Sequence, residues 1–312
     1  MTNQIALLTA IREAPHDPSR RLIYADWLDE HHKPDEATLV RLHVEMVDAA
    51  ETSPALEKFF PGELAVRERC DDSWLDEYEN CVDQGIVAVS VARSWLRIRR
   101  RLNETLPVLV RELNEGASHE EVEELEASIG EPLPKDLKAY FRIHNGALGS
   151  PGLFFGLELL PTHEVQRNYG NWVSGVDEYP ELDDWHASFP EGAVQQRFLC
   201  PGWIPLTYDG GGNHIGVDMA PGPKGRRGQV ILFGSDDEQH SVVAWSWAEF
   251  LQLFAKLLEE ADFSMVVVEE GEYTHIEGYD VSLFNPPDCA FQHPHQTLGL
   301  MAKRGILYDI KP

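Results

Sequence analysis

WIPLTYDGGGNHIGVDMAPGPKGRRGQVILFGSDD, residues 203–237, decides the fold. Three short apolar runs lie inside it: Trp203–Tyr208, His214–Asp218 and Gln229–Phe233. Each is rich in β-branched and aromatic residues, and glycine- and proline-rich clusters separate them, the pattern of an antiparallel meander. DGGGN, Asp209 to Asn213, resembles a phosphate loop only in its glycines. A phosphate-cradling loop leads into a helix, whose amides and dipole face the anion. Here a strand pattern follows, with no Gly-Lys-Ser/Thr, so a hairpin turn is the expectation, with positive φ at a central glycine such as Gly211. GPKGRRG, Gly222 to Gly228, reads as a flexible connection carrying Lys224, Arg226 and Arg227 as a basic tip.

Outward from this core the helix signals are clear. Ser118 and Glu121 form a capping box, followed by an apolar stripe of Val122, Leu125 and Ile129 and a stop at Gly130. Pro132 and Pro134 lead into a second helix with Leu137, Tyr140, Phe141 and His144 on one face, closed by Asn145-Gly146. Leu153–Leu160 reads as a strand, Thr162–Tyr169 as a helix, and 174–196 as a polar loop. A fourth strand, Val242–Trp245, precedes a second capping box, Ser246 with Glu249. That box opens a helix with Phe250, Leu251, Phe254 and Leu258 at core spacing.

Residues 1–48 read as three helices. Leu7, Leu8 and Ile11 mark the first, and Asp17-Pro18 is a cap with proline at the first helical position. Leu22, Ile23 and Trp27 give the second its expected apolar face; Leu39, Leu42 and Met46 mark the third. Residues 49–104 form a charged helical connector. Its acidic part is Asp71, Asp72, Asp76, Glu77, Glu79 and Asp83, and its basic part Arg93, Arg97, Arg99, Arg100 and Arg101. Arg93, Arg97 and Arg100 share a helix face, which suits either pairing with the acidic stretch or nucleic acid. Residues 105–262 make the main domain, and 263–312 an extension packed on it. The fold class is α+β: a curved mixed or antiparallel sheet with flanking helices, preceded by a small all-α domain.

The chain has 312 residues, with 26 Lys and Arg against 53 Asp and Glu, a net charge of −27. That surplus of acid repels nucleic acid and anionic membranes, keeps a protein soluble, and speeds encounter with a basic protein partner. The four cysteines, Cys70, Cys81, Cys200 and Cys289, form no CxxC pair, which suits a reduced compartment. The short apolar stretch Ile5–Ile11 has no basic flank before it, so no secretory signal is read, and a cytoplasmic location is expected.

Four pieces carry a family resemblance: EELEASIGEPLPKDLKAYFRIHNG (123–146), FFGLELLPTHEV (154–165), the meander itself, and WSWAEFLQLF (245–254). In this order they resemble the SUKH superfamily, which holds fungal regulators of cell-wall assembly and bacterial toxin-immunity proteins. The resemblance implies protein binding rather than catalysis, and no cofactor. Residues 20–46, RRLIYADWLDEHHKPDEATLVRLHVEM, resemble a bacterial repeat-companion domain, which implies a modular bacterial protein.

Candidate sites follow from residue type. Trp172 and Trp185 lie in polar sequence beside Asp177, Glu178, Asp183 and Asp184, a set suited to an Arg- or Lys-bearing partner; the alternative is that each tryptophan covers the domain's own sheet. Asp209, Asn213, His214 and Asp218 serve either turn chemistry or a hard cation, and turn chemistry is favoured. Cys289, His293 and His295 fall short of a zinc set and read as loop residues, so no metal site is assigned. Neither GxSxG nor HExxH occurs. The expected function is a non-enzymatic, immunity-like module recognising a basic protein. The alternatives are a regulatory scaffold of the cell-wall type, or a metal-dependent hydrolase using Asp209, His214 and Asp218.

Overall fold

The computed structural model describes residues 3–14, 17–49, 59–81, 83–105, 107–147, 153–154, 157–175, 186–236, 239–260, 266–270 and 273–277. Its first third is helical: α1 (Asn3–Glu13), α2 (Pro18–Glu30), α3 (Pro34–Ala49), α4 (Phe60–Arg67) and α5 (Asp72–Cys81). Asp17 caps α2, its Oδ1 accepting from the Ser19 amide at 3.0 Å, with Pro18 in the first turn. The face of α2 that packs inward differs from the expected one. Tyr24, Ala25 and Leu28 are buried with Arg21, whereas Leu22 and Ile23 are exposed. Tyr24 decides the orientation, because its hydroxyl accepts from Trp74 Nε1 of α5 at 2.9 Å and Trp74 stacks on Tyr78. A buried Tyr–Trp pair satisfies both polar atoms while burying two large rings. One core therefore joins α1, α2 and α3 to α4 and α5 through Val66, Cys70, Trp74, Leu75 and Tyr78.

The charged stretch 49–104 is divided between two cores. Helix α6 (Asp83–Thr105) belongs to the second one, where Val89, Ala92, Trp95, Ile98 and Leu102 pack with the helices that follow. These are α7 (Pro107–Arg111), α8 (His119–Ile129), α9 (Lys135–Ile143), α10 (Thr162–Gly175) and α11 (Trp247–Glu260). Trp95 meets Tyr140 edge-on at 5.8 Å and Phe154 at 6.0 Å; Phe154 meets Phe254 at 4.7 Å. Such perpendicular contacts suit the ring quadrupoles. Helix α3 serves both cores, Leu39 and Val40 in the first and Met46 in the second.

Beside these helices lies a five-stranded sheet in the order β2-β7-β6-β5-β3, built from β2 (Ala187–Phe189), β3 (Trp203–Pro205), β5 (Asn213–Asp218), β6 (Gln229–Gly234) and β7 (Gln239–Ala244). All its neighbours are antiparallel except β2 and β7, which makes it mixed. Every residue of β5 and β6 is buried, because both faces are covered. The meander order stands as expected, but its first strand, expected over Trp203–Tyr208, divides at Leu206 into β3 and a short β4 (Thr207–Tyr208) outside this sheet, and β2 lies inside the stretch read as a polar loop. The expected strand Leu153–Leu160 shrinks to β1 (Glu158–Leu159), paired with β4 (Thr207–Tyr208). Phe154 and Leu157, both fully buried, enter the helical core instead of alternating as a strand requires. Two later strands, β8 (Val266–Glu270) and β9 (Tyr273–Glu277), pair antiparallel with each other. The architecture is α+β with a helical region in front. No described helix is long and apolar enough to cross a membrane.

Polar side chains join these elements at helix ends. Ser118 and Glu121 make the expected capping box on α8, and Gly130 ends it in the left-handed conformation. At α11, Ser246 Oγ accepts from the Glu249 amide at 3.1 Å, and Glu249 reaches back to the Trp245 amide rather than that of Ser246. Asp136, in the first turn of α9, is buried, and its Oδ2 accepts from the Ala248 amide at 2.9 Å. A carboxylate of one helix thus serves the unsatisfied N-terminal amides of another. Asn145, past the end of α9, accepts from the Thr162 amide at 2.7 Å through Oδ1. Gly146 sits at φ +70°, where an added Cβ would lie 2.4 Å from Pro161 N.

Asp136→Ala should lower stability by about 2–3 kcal/mol, since buried amides lose their acceptor. Denaturant unfolding checks this, and a loss under about 0.5 kcal/mol would refute the tertiary cap. A fragment of residues 83–260 should unfold cooperatively, while 105–260, stripped of Trp95, Ile98 and Leu102, should lose cooperativity or melt far lower. Equal melting of the two would show that α6 is dispensable to the second core.

Candidate binding site

The sheet face turned away from the main helical core carries its own cluster: Trp203, Ile231, Phe233 and Val242 with Ala193, Val194 and Cys200, and Trp172 and Trp245 packed at its margin. Trp172 comes from α10, which packs against α8 and β3. Its ring lies edge-on to Phe233 at 5.2 Å, and its Nε1 donates to His214 Nε2 at 2.8 Å. With Nε2 accepting, the His214 hydrogen sits on Nδ1 and donates to the Thr207 carbonyl at 2.6 Å. Tyr208 stacks on the same ring at 5.5 Å. Trp172 therefore covers the domain's own sheet, the second of the two roles open to it in the sequence. Asp177, Glu178, Asp183, Asp184 and Trp185 lie outside the described residues.

The DGGGN loop is a turn held by its own side chains. Asp209 Oδ1 accepts from the Gly211 amide at 2.7 Å and the Asn213 amide at 2.9 Å, and Oδ2 accepts from Asn213 Nδ2 at 2.6 Å. Asn213 also binds Asp236, donating Nδ2 to its Oδ2 at 2.9 Å. This is an Asx-type turn, in which the carboxylate replaces a backbone acceptor. The glycines with positive φ are Gly210 and Gly212, at +83° and +99°, rather than Gly211.

At the other end of β5, Asp218 pairs with Gln229 across the strands. Its Oδ2 accepts from Gln229 Nε2 at 2.9 Å and Oδ1 from the Ala220 amide at 2.9 Å. Burial pushes this carboxyl up to about 7, against both hydrogen bonds. Gln229 Oε1 accepts from the Arg226 amide, Arg227 bridges Glu131 at 2.5 Å, and Arg226 lies over the Trp245 ring at 4.6 Å. Residues 222–228 are therefore tied down, not the flexible connection expected from their glycines, because Arg226 and Arg227 find anchors beyond the loop and the Lys224 amide donates to the Gly192 carbonyl.

Asp209, His214 and Asp218 thus sit in three separate hydrogen-bond networks. Among the described residues no group of three or more His, Cys, Asp and Glu is arranged to hold a metal ion. Cys289, His293 and His295 lie outside those residues. Cys200 and Cys70 are buried, and burial pushes the Cys70 thiol up to about 11. The arrangement is a sheet buried on both faces, flanked by helices that carry exposed charge. Glu120, Glu123 and Glu124 of α8 are exposed. Sequence reading missed Asp136, Asn145 and Gln229 as organising residues. The available signal was that each lies within or beside a motif whose partner lies in another.

Comparison with known proteins fits this geometry. Residues 116–253 match the SMI1/KNR4 family (SUKH-1). This segment is a SUKH-1 domain. It contains α8 to α10, the whole five-stranded sheet and the first half of α11. The chain is 40% identical over 182 residues to the cell wall biosynthesis/cell cycle regulator smi1 of Schizosaccharomyces pombe, covering 54% of this chain and 36% of that protein. It is 33% identical over 240 residues to a glucan synthesis regulatory protein of Neurospora crassa, covering 64% and 45%. It is 30% identical over 232 residues to the cell wall assembly regulator SMI1 of Saccharomyces cerevisiae, covering 63% and 46%. The chain spans less than half the length of these relatives. They are fungal and are named as regulators; nothing beyond sequence resemblance supports a repeat-companion domain at residues 20–46 or a bacterial origin.

Asp218 gives the SUKH-1 sheet a pH signature. Its folded-state value is raised above the ordinary 3.8, so the fold favours the protonated form. That contribution is complete below about pH 4 and is lost as pH rises to about 7. Relative to Asp218→Asn, the wild-type chain should lose stability across this window, on the order of 4 kcal/mol if the whole displacement acts on folding. Denaturant midpoints of both proteins from pH 4 to 8 test it; a constant difference would show that Asp218 ionises normally.

Proposed function

We propose that this chain is a non-catalytic regulatory binding protein of the cell-wall-assembly type, with the SUKH-1 domain as its docking module for a basic protein. The observation that carries the reading is the 40% identity over 182 residues to a cell wall biosynthesis/cell cycle regulator. These relatives favour the regulatory scaffold over an immunity protein. The electrostatics agree with a basic partner: α8 exposes Glu120, Glu123 and Glu124, and α10, packed on α8, leads into the acidic segment 177–184. Opposite charge across such a surface speeds docking, and buried apolar contacts slow release. In this reading residues 3–81, with their own core, recruit a second partner, and the whole chain acts as a scaffold.

A chimera tests the reading. In Schizosaccharomyces pombe lacking smi1, that protein with residues 116–253 of this chain in place of its matching segment should restore wall assembly. A chimera that is expressed and folded yet inert would overturn the regulatory role. Raising salt from about 0.05 to 0.5 M should slow association with the captured partner while changing dissociation less, and Asp183→Lys with Asp184→Lys should mimic high salt. Association rates indifferent to both would remove the electrostatic part of the proposal.

A further inference from the structure

Among the described residues of segment 116–253, one large apolar side chain is exposed: Val173, 38% open to solvent near the end of α10. The residue before it, Trp172, seals the sheet and donates to His214. Tyr208 of β4 meets the same imidazole, its ring centroid 5.5 Å away, as is that of Trp172. Tyr208 is half-buried, and its hydroxyl makes no hydrogen bond among the described residues. Three segments thus meet at one corner of the sheet: the end of α10, Tyr208, and the DGGGN turn with its exposed Gly210 and Gly211. Trp172 supports this corner from beneath, because sealing the sheet fixes the imidazole on which Tyr208 stacks.

The rim of the corner is acidic. Asn213 Nδ2 donates to Asp209 Oδ2 at 2.6 Å and to Asp236 Oδ2 at 2.9 Å, so two carboxylates meet across one nitrogen. Asp236 is exposed and pairs with no cation among the described residues. Asp209 lends its oxygens to turn amides, which leaves its charge in place. The one arginine of α10, Arg167, pairs with Glu164. Two like charges held this closely favour a cation outside them, and an adjoining aromatic ring favours a flat one.

We propose that this corner is the docking surface for an arginine-bearing segment of a partner protein. The proposal rests on the reading that the SUKH-1 domain binds a basic protein, and adds where on the domain and through which side chain. A guanidinium matches the corner in three ways: its plane stacks on Tyr208, its fork pairs with Asp236, and its apolar stem covers Val173. An ammonium is a point charge and gives up the first of these. The turn is already fixed by its own hydrogen bonds, so docking orders little new chain. A nucleic acid or an anionic lipid surface would meet the two carboxylates and be repelled.

Fluorescence anisotropy with the full chain tests this, using a labelled peptide of alternating arginine and glycine and its lysine and glutamine counterparts at about 0.05 M salt. The arginine peptide should bind saturably, the lysine peptide at least threefold more weakly, and the glutamine peptide not at all. Asp236→Asn, which keeps an acceptor for Asn213, should weaken binding about fivefold, and Tyr208→Leu about threefold with loss of the preference for arginine. Val173→Lys, which sets a like charge on the corner, should weaken it at least tenfold. The melting temperatures of Asp236→Asn and Val173→Lys should stay unchanged, since both positions are exposed. Equal affinity for the arginine and lysine peptides would overturn the assignment to arginine. Binding that is indifferent to all three substitutions, yet falls when Glu120, Glu123 and Glu124 of α8 are changed to lysine, would overturn the corner and leave the basic-partner reading standing. No saturable binding of the arginine peptide would overturn both.

Discussion

The hydrogen bonds around the Asp136 carboxylate organise the main core. Asp136 lies in the first turn of α9, and its oxygens serve the amides of Leu137 and, at the start of α11, Ala248. Burial raises its carboxyl above the ordinary value despite these donors. That position fixes where α11 begins. Trp247 is thereby brought against Tyr140 and Phe154, and the remaining rings of α11 fill the space between α9 and α6. β7 runs into α11 after two residues, so the same contact ties the sheet to the helical core.

This explains why the recognisable pieces of this SUKH-1 segment are short and dispersed. GEPLPKD carries the acceptor for the amides that WSWAEF presents; HNG carries the acceptor for Thr162 in PTHEV. Each motif is one half of a contact. Signals confined to one helix or one turn were legible without coordinates: the Ser118–Glu121 box, the stop at Gly130, the three meander strands. What escaped reading was tertiary. Asp136 and Asn145 look like ordinary helix-end residues until the amides they serve are known. Leu22 and Ile23 look like a buried face until Tyr24 claims that role through Trp74. Helix α6 was read by its charge, although Val89, Ala92, Trp95, Ile98 and Leu102 recur at core spacing in the same stretch.

The polar residues of the sheet illustrate the same division. Asp209, Asn213, His214 and Asp218 were visible as a group because they crowd one strand and its turn. Their chemistry depends on what faces them. A turn amide takes Asp209, the Asp209 and Asp236 carboxylates take Asn213, an indole N–H takes His214 and a carboxamide takes Asp218, so all four are spent on holding two loops and a helix in place. Charge outside these networks gathers on helix surfaces, as on α8, where Glu120, Glu123 and Glu124 are exposed.

The borders of the five-stranded sheet carry a consequence for life in a crowded cell. Its outer members, β2 and β3, are three residues each; β3 ends on Pro205, which has no amide hydrogen, and β2 is followed by Pro190. A row of open peptide groups on an exposed border is the template on which fibrils grow, and brevity together with proline removes it. Helix α10 stands beside β3 as a further screen. The apolar sequence of β5 and β6, which in an exposed strand would invite self-stacking, is confined to the middle of the sheet. Short, proline-flanked borders around a doubly covered centre leave this sheet little open strand on which a second copy could add.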